Sequence, residues 1–158
     1  MTLADKSALF GKVIENLEDK IKLFVDAAFE AKEASTNEES KAENKYDTRG
    51  LEASYLAAGQ ARRAQELKEQ IYDLSKVELR EFSDQDAISI SCVVDLRIDE
   101  KRTKHVFLLP VGGIEVTVQD KKVQTLTIEA PLGNQLFGMK VGDDFEMNGH
   151  LYEVLSIA

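Results

Sequence analysis

From Leu3 to Ser35 an apolar or small residue recurs at alternating spacings of three and four: Leu3, Ser7, Phe10, Ile14, Leu17, Ile21, Phe24, Ala28, Ala31 and Ser35. A heptad stripe held this long predicts a helix with a coiled-coil seam. At about 1.5 Å per residue that helix would run for roughly 50 Å. Thr2 or Asp5 can cap its start, and only Gly11 interrupts it, at a cost of about 1 kcal/mol. A second seam follows at Ala53, Ala57, Gln60, Ala64, Leu67, Ile71 and Leu74. In the first helix large residues give way to small ones, and in the second the order is reversed. Folded back antiparallel, the small ends meet at the turn and the large ends at the base. The two gradients agree, which predicts that these helices pair within one chain.

Between the seams, Thr36 to Gly50 is polar, with Tyr46 its one strong apolar residue. It is too short for a domain and too long for a minimal helical connection. A polar tip between two long helices predicts a rod that carries a few side chains away from a globular base.

After Leu74 the period changes from 3.5 to 2. Ile88, Ile90, Cys92, Val94, Leu96 and Ile98 alternate with more polar positions, as in a half-buried strand. Asp99 to Arg102 reads as a turn, with further strands over 104–109, 114–118 and 123–129. A short helix from Pro131 to Phe137 is expected to stop at Gly138. Strands 144–147 and 151–157 close the chain through an Asn148-Gly149 hairpin turn. These elements are enough for one modest core.

Composition narrows the function. The net charge is −9, and each half carries more acidic than basic side chains. Broad electrostatic binding to nucleic acid needs clustered Lys and Arg, so it is excluded. No apolar run approaches the roughly 18 residues that span a bilayer, so no membrane association is expected, and no secretory signal is evident at the N-terminus. The lone Cys92 suits a reducing cytoplasm and reads as a buried small hydrophobe. His105 and His150 have no companions at zinc-ligand spacing. Gly112-Gly113 lacks the Lys-Ser/Thr of a phosphate loop, and no nucleophilic serine motif occurs. Arg62 and Arg63, with Lys68, form a small basic stripe that reads as a solvated face beside Glu66 and Glu69.

The segment Ala130-Pro131-Leu132-Gly133, continued by Leu136-Phe137-Gly138-Met139-Lys140-Val141-Gly142-Asp143, resembles the C-terminal signature of the bacterial Gre transcription elongation factors, GreA and GreB. The final strand, Tyr152 to Ile157, is similar as well, and Ala130 stands where Ser is usual. The order of parts also matches. The resemblance implies an α+β fold: an antiparallel coiled-coil hairpin over 1–80 with its polar tip near 36–50, then an FKBP-like antiparallel β domain with one short helix over 81–158.

It further implies a monomer, cytoplasmic and bacterial, that is not itself an enzyme and that docks on RNA polymerase through its β domain. Pro131, Leu132, Gly133, Gly138, Gly142 and Asp143 are the expected docking residues. The hairpin would enter the secondary channel, where Arg62 and Arg63 can approach nascent RNA. In cleavage-stimulating members, tip carboxylates help the polymerase hold a second Mg²⁺, a hard cation that wants oxygen ligands. Here the tip reads Tyr46-Asp47-Thr48-Arg49-Gly50-Leu51-Glu52-Ala53-Ser54-Tyr55. Aligning Ala53 and Tyr55 with the family's Ala and Tyr puts Leu51 where the family has Glu and Thr48 where it has Asp. A one- or two-residue shift in the turn would instead bring Asp47 and Glu52 into play; Asp47, then Glu52, then Glu43 are the candidates, with Asp47 and Glu52 as metal ligands only in the complex. Arg49 would contact the polymerase or neutralise Asp47. Tyr46 and Tyr55 would stack on a base or pack on the hairpin's end. Two functions stay open at this level, a cleavage stimulator and a non-cleaving modulator or inhibitor of the polymerase. A silent module that binds some other protein is the rival class, and a prolyl isomerase would need an aromatic-lined pocket in the β domain.

Overall fold

Both heptad stripes become helices in the computed structural model, which describes residues 1–37 and 41–158; positions 38–40 of the expected tip lie outside the described residues. Helix α1 spans Leu3–Thr36 and α2 spans Arg49–Ser75. Thr2 caps α1: its hydroxyl oxygen accepts the Asp5 N–H (3.2 Å), while Asp5 accepts from the Thr2 N–H (2.9 Å) and hydroxyl (2.8 Å). That reciprocal pair satisfies helix-end donors that would otherwise lack partners. The remaining elements are β1 (Val93–Ile98), β2 (Arg102–Leu108), β3 (Glu115–Val118), β4 (Lys121–Leu126), α3 (Pro131–Leu136), β5 (Asp144–Met147) and β6 (His150–Ile157). The contacts group into two compact units, Leu17–Ile71 and Met1–Asn16 with Tyr72–Ala158.

In the helical unit the less exposed residues follow the expected seam on both helices. Leu17, Ala31, Ala64 and Leu67 are buried, and Ile21, Phe24, Ala28, Ala53, Ala57, Gln60 and Ile71 are partly so. The first turns of α1 differ. Leu3 and Ser7 are exposed, and the buried face is Lys6, Leu9 and Val13. Those turns belong to the other unit, where the Phe10 ring meets Phe107 of β2 edge-on at 6.4 Å. Lys12 Nζ donates to the Thr117 carbonyl of edge strand β3 (2.7 Å). The same helix thus presents one stripe to a partner helix and another, rotated by one residue, to a sheet.

The sheet has six strands in the order β3-β4-β2-β1-β6-β5. Every pairing is antiparallel except β2 with β4, which is parallel. Asn148 and Gly149 turn the β5–β6 hairpin at φ 54° and 76°, both in the left-handed region that the tightest hairpin turn demands. The expected early strand over 88–92 is absent. Ser91 takes φ 70°, which breaks an extended run before β1 begins at Val93. Ile88 and Cys92 still point inward and join Val94, Leu96, Val106, Leu108, Leu132, Leu136, Val154 and Ile157 in the core.

Candidate functional site

At the tip, Asp47 precedes α2, where the chain must leave a turn and satisfy the first free N–H groups of a helix. Its Oδ1 accepts from the Arg49 N–H (3.3 Å) and from Arg49 Nε (3.2 Å). Its Oδ2 accepts from Arg49 Nη2 (2.9 Å) and the Glu43 N–H (3.2 Å). Both oxygens are therefore engaged, and the side chain is only 10% exposed. The Arg49 guanidinium first, then the two backbone N–H groups, holds this carboxyl well below the usual carboxylate range. Arg49 also lies 3.6 Å from the Glu43 carboxylate, which is 79% exposed. Arg49 thus neutralises Asp47 locally.

Glu52 sits in the first turn of α2, where a negative charge favours the helix dipole. Its Oε1 accepts from the Thr48 hydroxyl (3.1 Å). Asp47 and Glu52 are thus held by different partners. Tyr46 and Tyr55 are 79% and 70% exposed, so neither ring packs against the hairpin; Lys45 Nζ lies 5.0 Å from the Tyr46 ring centre. Arg62 and Arg63 are exposed, and Arg63 pairs with Glu66 at 2.8 Å.

A divalent cation needs several free oxygens in a tight shell. Among the described tip residues, Arg49 and two backbone N–H groups occupy both oxygens of Asp47, which leaves that carboxylate no open ligand position while Arg49 stays in place. Among the described residues no three His, Cys, Asp or Glu side chains gather as a ligand set.

In the sheet unit, Pro131 opens α3 at a position where its missing N–H is not needed. Ala130 is the N-cap and supplies no side-chain bond. Gly133 is required by packing: a Cβ there would fall 1.9 Å from the Thr127 carbonyl oxygen. Gly138, at φ 86°, turns the chain out of α3, and its N–H donates to the Ile88 carbonyl (2.8 Å). The Ile88 N–H returns a bond to Met139 (2.8 Å), while Asp143 accepts from the Lys140 N–H (2.8 Å). Of the six residues expected to dock, Leu132 and Gly133 are buried and Pro131, Gly138, Gly142 and Asp143 are exposed. Phe137, absent from that expectation, is 51% exposed.

No hydrophobic pattern marks Lys6, which is only 1% exposed. Its Nζ donates to the Arg80 carbonyl (2.6 Å) and lies 4.6 Å from the Phe82 ring centre. Burial pushes this ammonium down to about 8 and pushes the Cys92 thiol up to about 11. Asp95, His105 and Ser156 form a row across three strands. The Ser156 hydroxyl donates to Asp95 (3.2 Å) and His105 Nδ1 meets the same carboxylate (2.6 Å), so the serine is not aligned on the imidazole.

Solved structures that the chain is similar to include GreA factor homolog 1 (Gfh1) of Thermus thermophilus, at 23% identity over 92% of this chain and 94% of that one, with a TM-score of 0.36. Gfh1 of Thermus aquaticus is similar at 19% identity over 94% and 92%, with a TM-score of 0.37. No protein-family model matches the chain, and no curated protein does. Among the described residues no helix is long and apolar enough to cross a membrane.

Proposed function

We propose that this chain is a Gre-like regulator that binds bacterial RNA polymerase through its β domain and occupies the secondary channel with its hairpin without stimulating RNA cleavage. The polymerase partner is supported by the 130–143 segment, whose Pro, Gly and Gly-Asp positions carry the family resemblance. The observation that carries the non-cleaving reading is Arg49 on both oxygens of Asp47. A carboxylate so held has no open oxygen position for a second Mg²⁺ while Arg49 stays in place, and with Ala53 and Tyr55 aligned on the family's Ala and Tyr its acidic positions fall on Thr48 and Leu51. The exposed tyrosines and the basic Arg62 then serve occupancy of a channel that carries RNA. Such a partner makes the chain cytoplasmic.

The test is co-elution with core polymerase, followed by elongation assays in the presence of a cleavage-active Gre factor. Co-elution, slowed elongation and displacement of that factor are expected. Failure to co-elute overturns the polymerase reading and favours a module for some other protein.

A further inference from the structure

We infer that the sheet unit carries a small-molecule site where Asp95, Ser156 and Lys121 line one cavity, and that its ligand is a free α-amino acid with a short apolar side chain. The site stands apart from the hairpin tip and from the 130–143 segment, and it is independent of the polymerase partner proposed above.

Asp95 lies between Val94 and Leu96 of β1, which belong to the core, so its side chain leaves the opposite face of the sheet. The register sets His105 of β2 and Ser156 of β6 directly beside it. Side chains from three neighbouring strands, joined by Lys121 from the start of β4, thus converge on one carboxylate. A cavity of about 120 Å³ opens there, with Asp95, Ser156 and Lys121 in its wall beside the apolar Met1, Val93 and Ile157. A few polar groups held by rigid strands in an otherwise apolar cavity make a ligand site. Its size limits the ligand to a few heavy atoms.

Charge selects the class. Asp95 Oδ1 meets His105 Nδ1 (2.6 Å), and Oδ2 accepts from the Ser156 hydroxyl (3.2 Å). Lys121 Nζ stands 3.7 Å from Oδ2, beyond hydrogen-bond distance, and its side chain is 54% exposed. Oδ2 therefore keeps an acceptor position that a ligand ammonium fills with a shorter, charge-assisted bond. Lys121 is then free to meet a carboxylate on the same ligand. One anion and one cation in the wall fit a zwitterion better than a lone amine or a lone acid. In an α-amino acid a single carbon separates the two charges, which matches groups 3.7 Å apart. Val93, Ile157 and Met1 leave the remaining room to a short apolar side chain. A second cavity of about 120 Å³ also has Met1 and Lys121 in its wall, together with Val118 and Val123, so both side chains have space to shift as a ligand enters.

The test is an amide NMR titration of the full chain with L-alanine and L-valine, and with isobutylamine and isobutyrate as probes that carry one charge each. Saturable shifts at Val93, Asp95, Lys121 and Ser156 are expected for the amino acids, with the hairpin resonances unmoved. Each single-charge probe should bind roughly tenfold or more weakly, as the loss of one charged contact implies. Lys121→Met should weaken L-valine binding to a similar degree, and Lys121→Arg should restore most of it. Thermal unfolding of both variants should match wild type, because the Lys121 side chain is exposed. No saturable shift with either amino acid overturns the site. Isobutylamine binding as tightly as L-valine, or wild-type affinity in Lys121→Met, overturns the zwitterionic ligand.

Discussion

Arg49 grips Asp47 through two side-chain hydrogen bonds, Nε to Oδ1 at 3.2 Å and Nη2 to Oδ2 at 2.9 Å. Bidentate guanidinium–carboxylate pairs are stronger and more directional than single contacts. Together with the Glu43 and Arg49 N–H groups, this pair organises the turn into α2 around a carboxylate that is occupied.

The pair has a titration signature. Asp47 is depressed by Arg49 first and by the two N–H groups next. A carboxyl whose folded pKa lies below its unfolded value contributes stability above the unfolded value, about 3.9, and loses it as pH falls through the folded one. Carboxyl-carbon NMR should find Asp47 still ionised at pH 3. In Arg49→Gln the transition should move back up towards the ordinary range. An Asp47 that titrates normally in wild type would contradict the pairing.

Gly133 and Thr127 make a second test. A Cβ at Gly133 lies 1.9 Å from a backbone oxygen, which no rotamer change relieves. Gly133→Ala should destabilise the sheet unit by about 2 kcal/mol or more, as overpacking does, seen as a lower urea midpoint by circular dichroism. Unchanged stability would mean that the α3–Thr127 approach is looser than described.

Ala130 offers the opposite sign. As an N-cap with no side-chain bond, it leaves a helix-end donor that a serine hydroxyl can meet. Ala130→Ser should raise stability by about 1 kcal/mol, read from the same urea curves. A loss of stability would show that residue 130 is constrained by something other than capping.

Lys6 makes stability depend on alkaline pH. Its folded pKa, about 8, lies below the 10.5 of a free lysine, so the unfolded chain binds more protons between those values. Stability therefore rises as pH increases above about 8, by at most about 1.4 kcal/mol per pH unit. Cys92 acts oppositely: its thiol is raised from 9.0 to about 11, so stability falls over that range. The net rise should show between about pH 8 and 9. It should vanish in Lys6→Met, measured by urea unfolding at each pH.

Much of this was legible in the sequence. The α2 seam from Ala53 to Leu74 lies on the face the heptad pattern assigned, because one helix packing on another imposes that period directly. The base of α1 was not legible, because there the helix meets a sheet and its buried stripe begins with Lys6, which no hydrophobic pattern marks. Alternation from Ile88 to Ile98 named the core residues Ile88, Cys92, Val94 and Leu96 but put the buried Ser91 and Val93 on the outer face and overran the strand, since Ser91 adopts a left-handed backbone that residue type alone did not signal. The parallel β2–β4 pair was hidden as well, because strand order is not written in any local period. At the tip, Asp47, Glu52 and Glu43 were candidates drawn from the family resemblance. That Arg49 would bind Asp47 through both oxygens depended on the turn's geometry. Phe137 was read as the end of a short helix, and only the fold shows it exposed.

The Arg49–Asp47 pair is tested most directly by RNA release from a stalled, backtracked elongation complex at limiting Mg²⁺. Wild type should bind the complex without accelerating cleavage over polymerase alone, and Asp47→Ala should leave that rate unchanged. Cleavage accelerated by wild type and abolished in Asp47→Ala would contradict it, since Asp47 would then be reaching a metal that Arg49 is held to exclude.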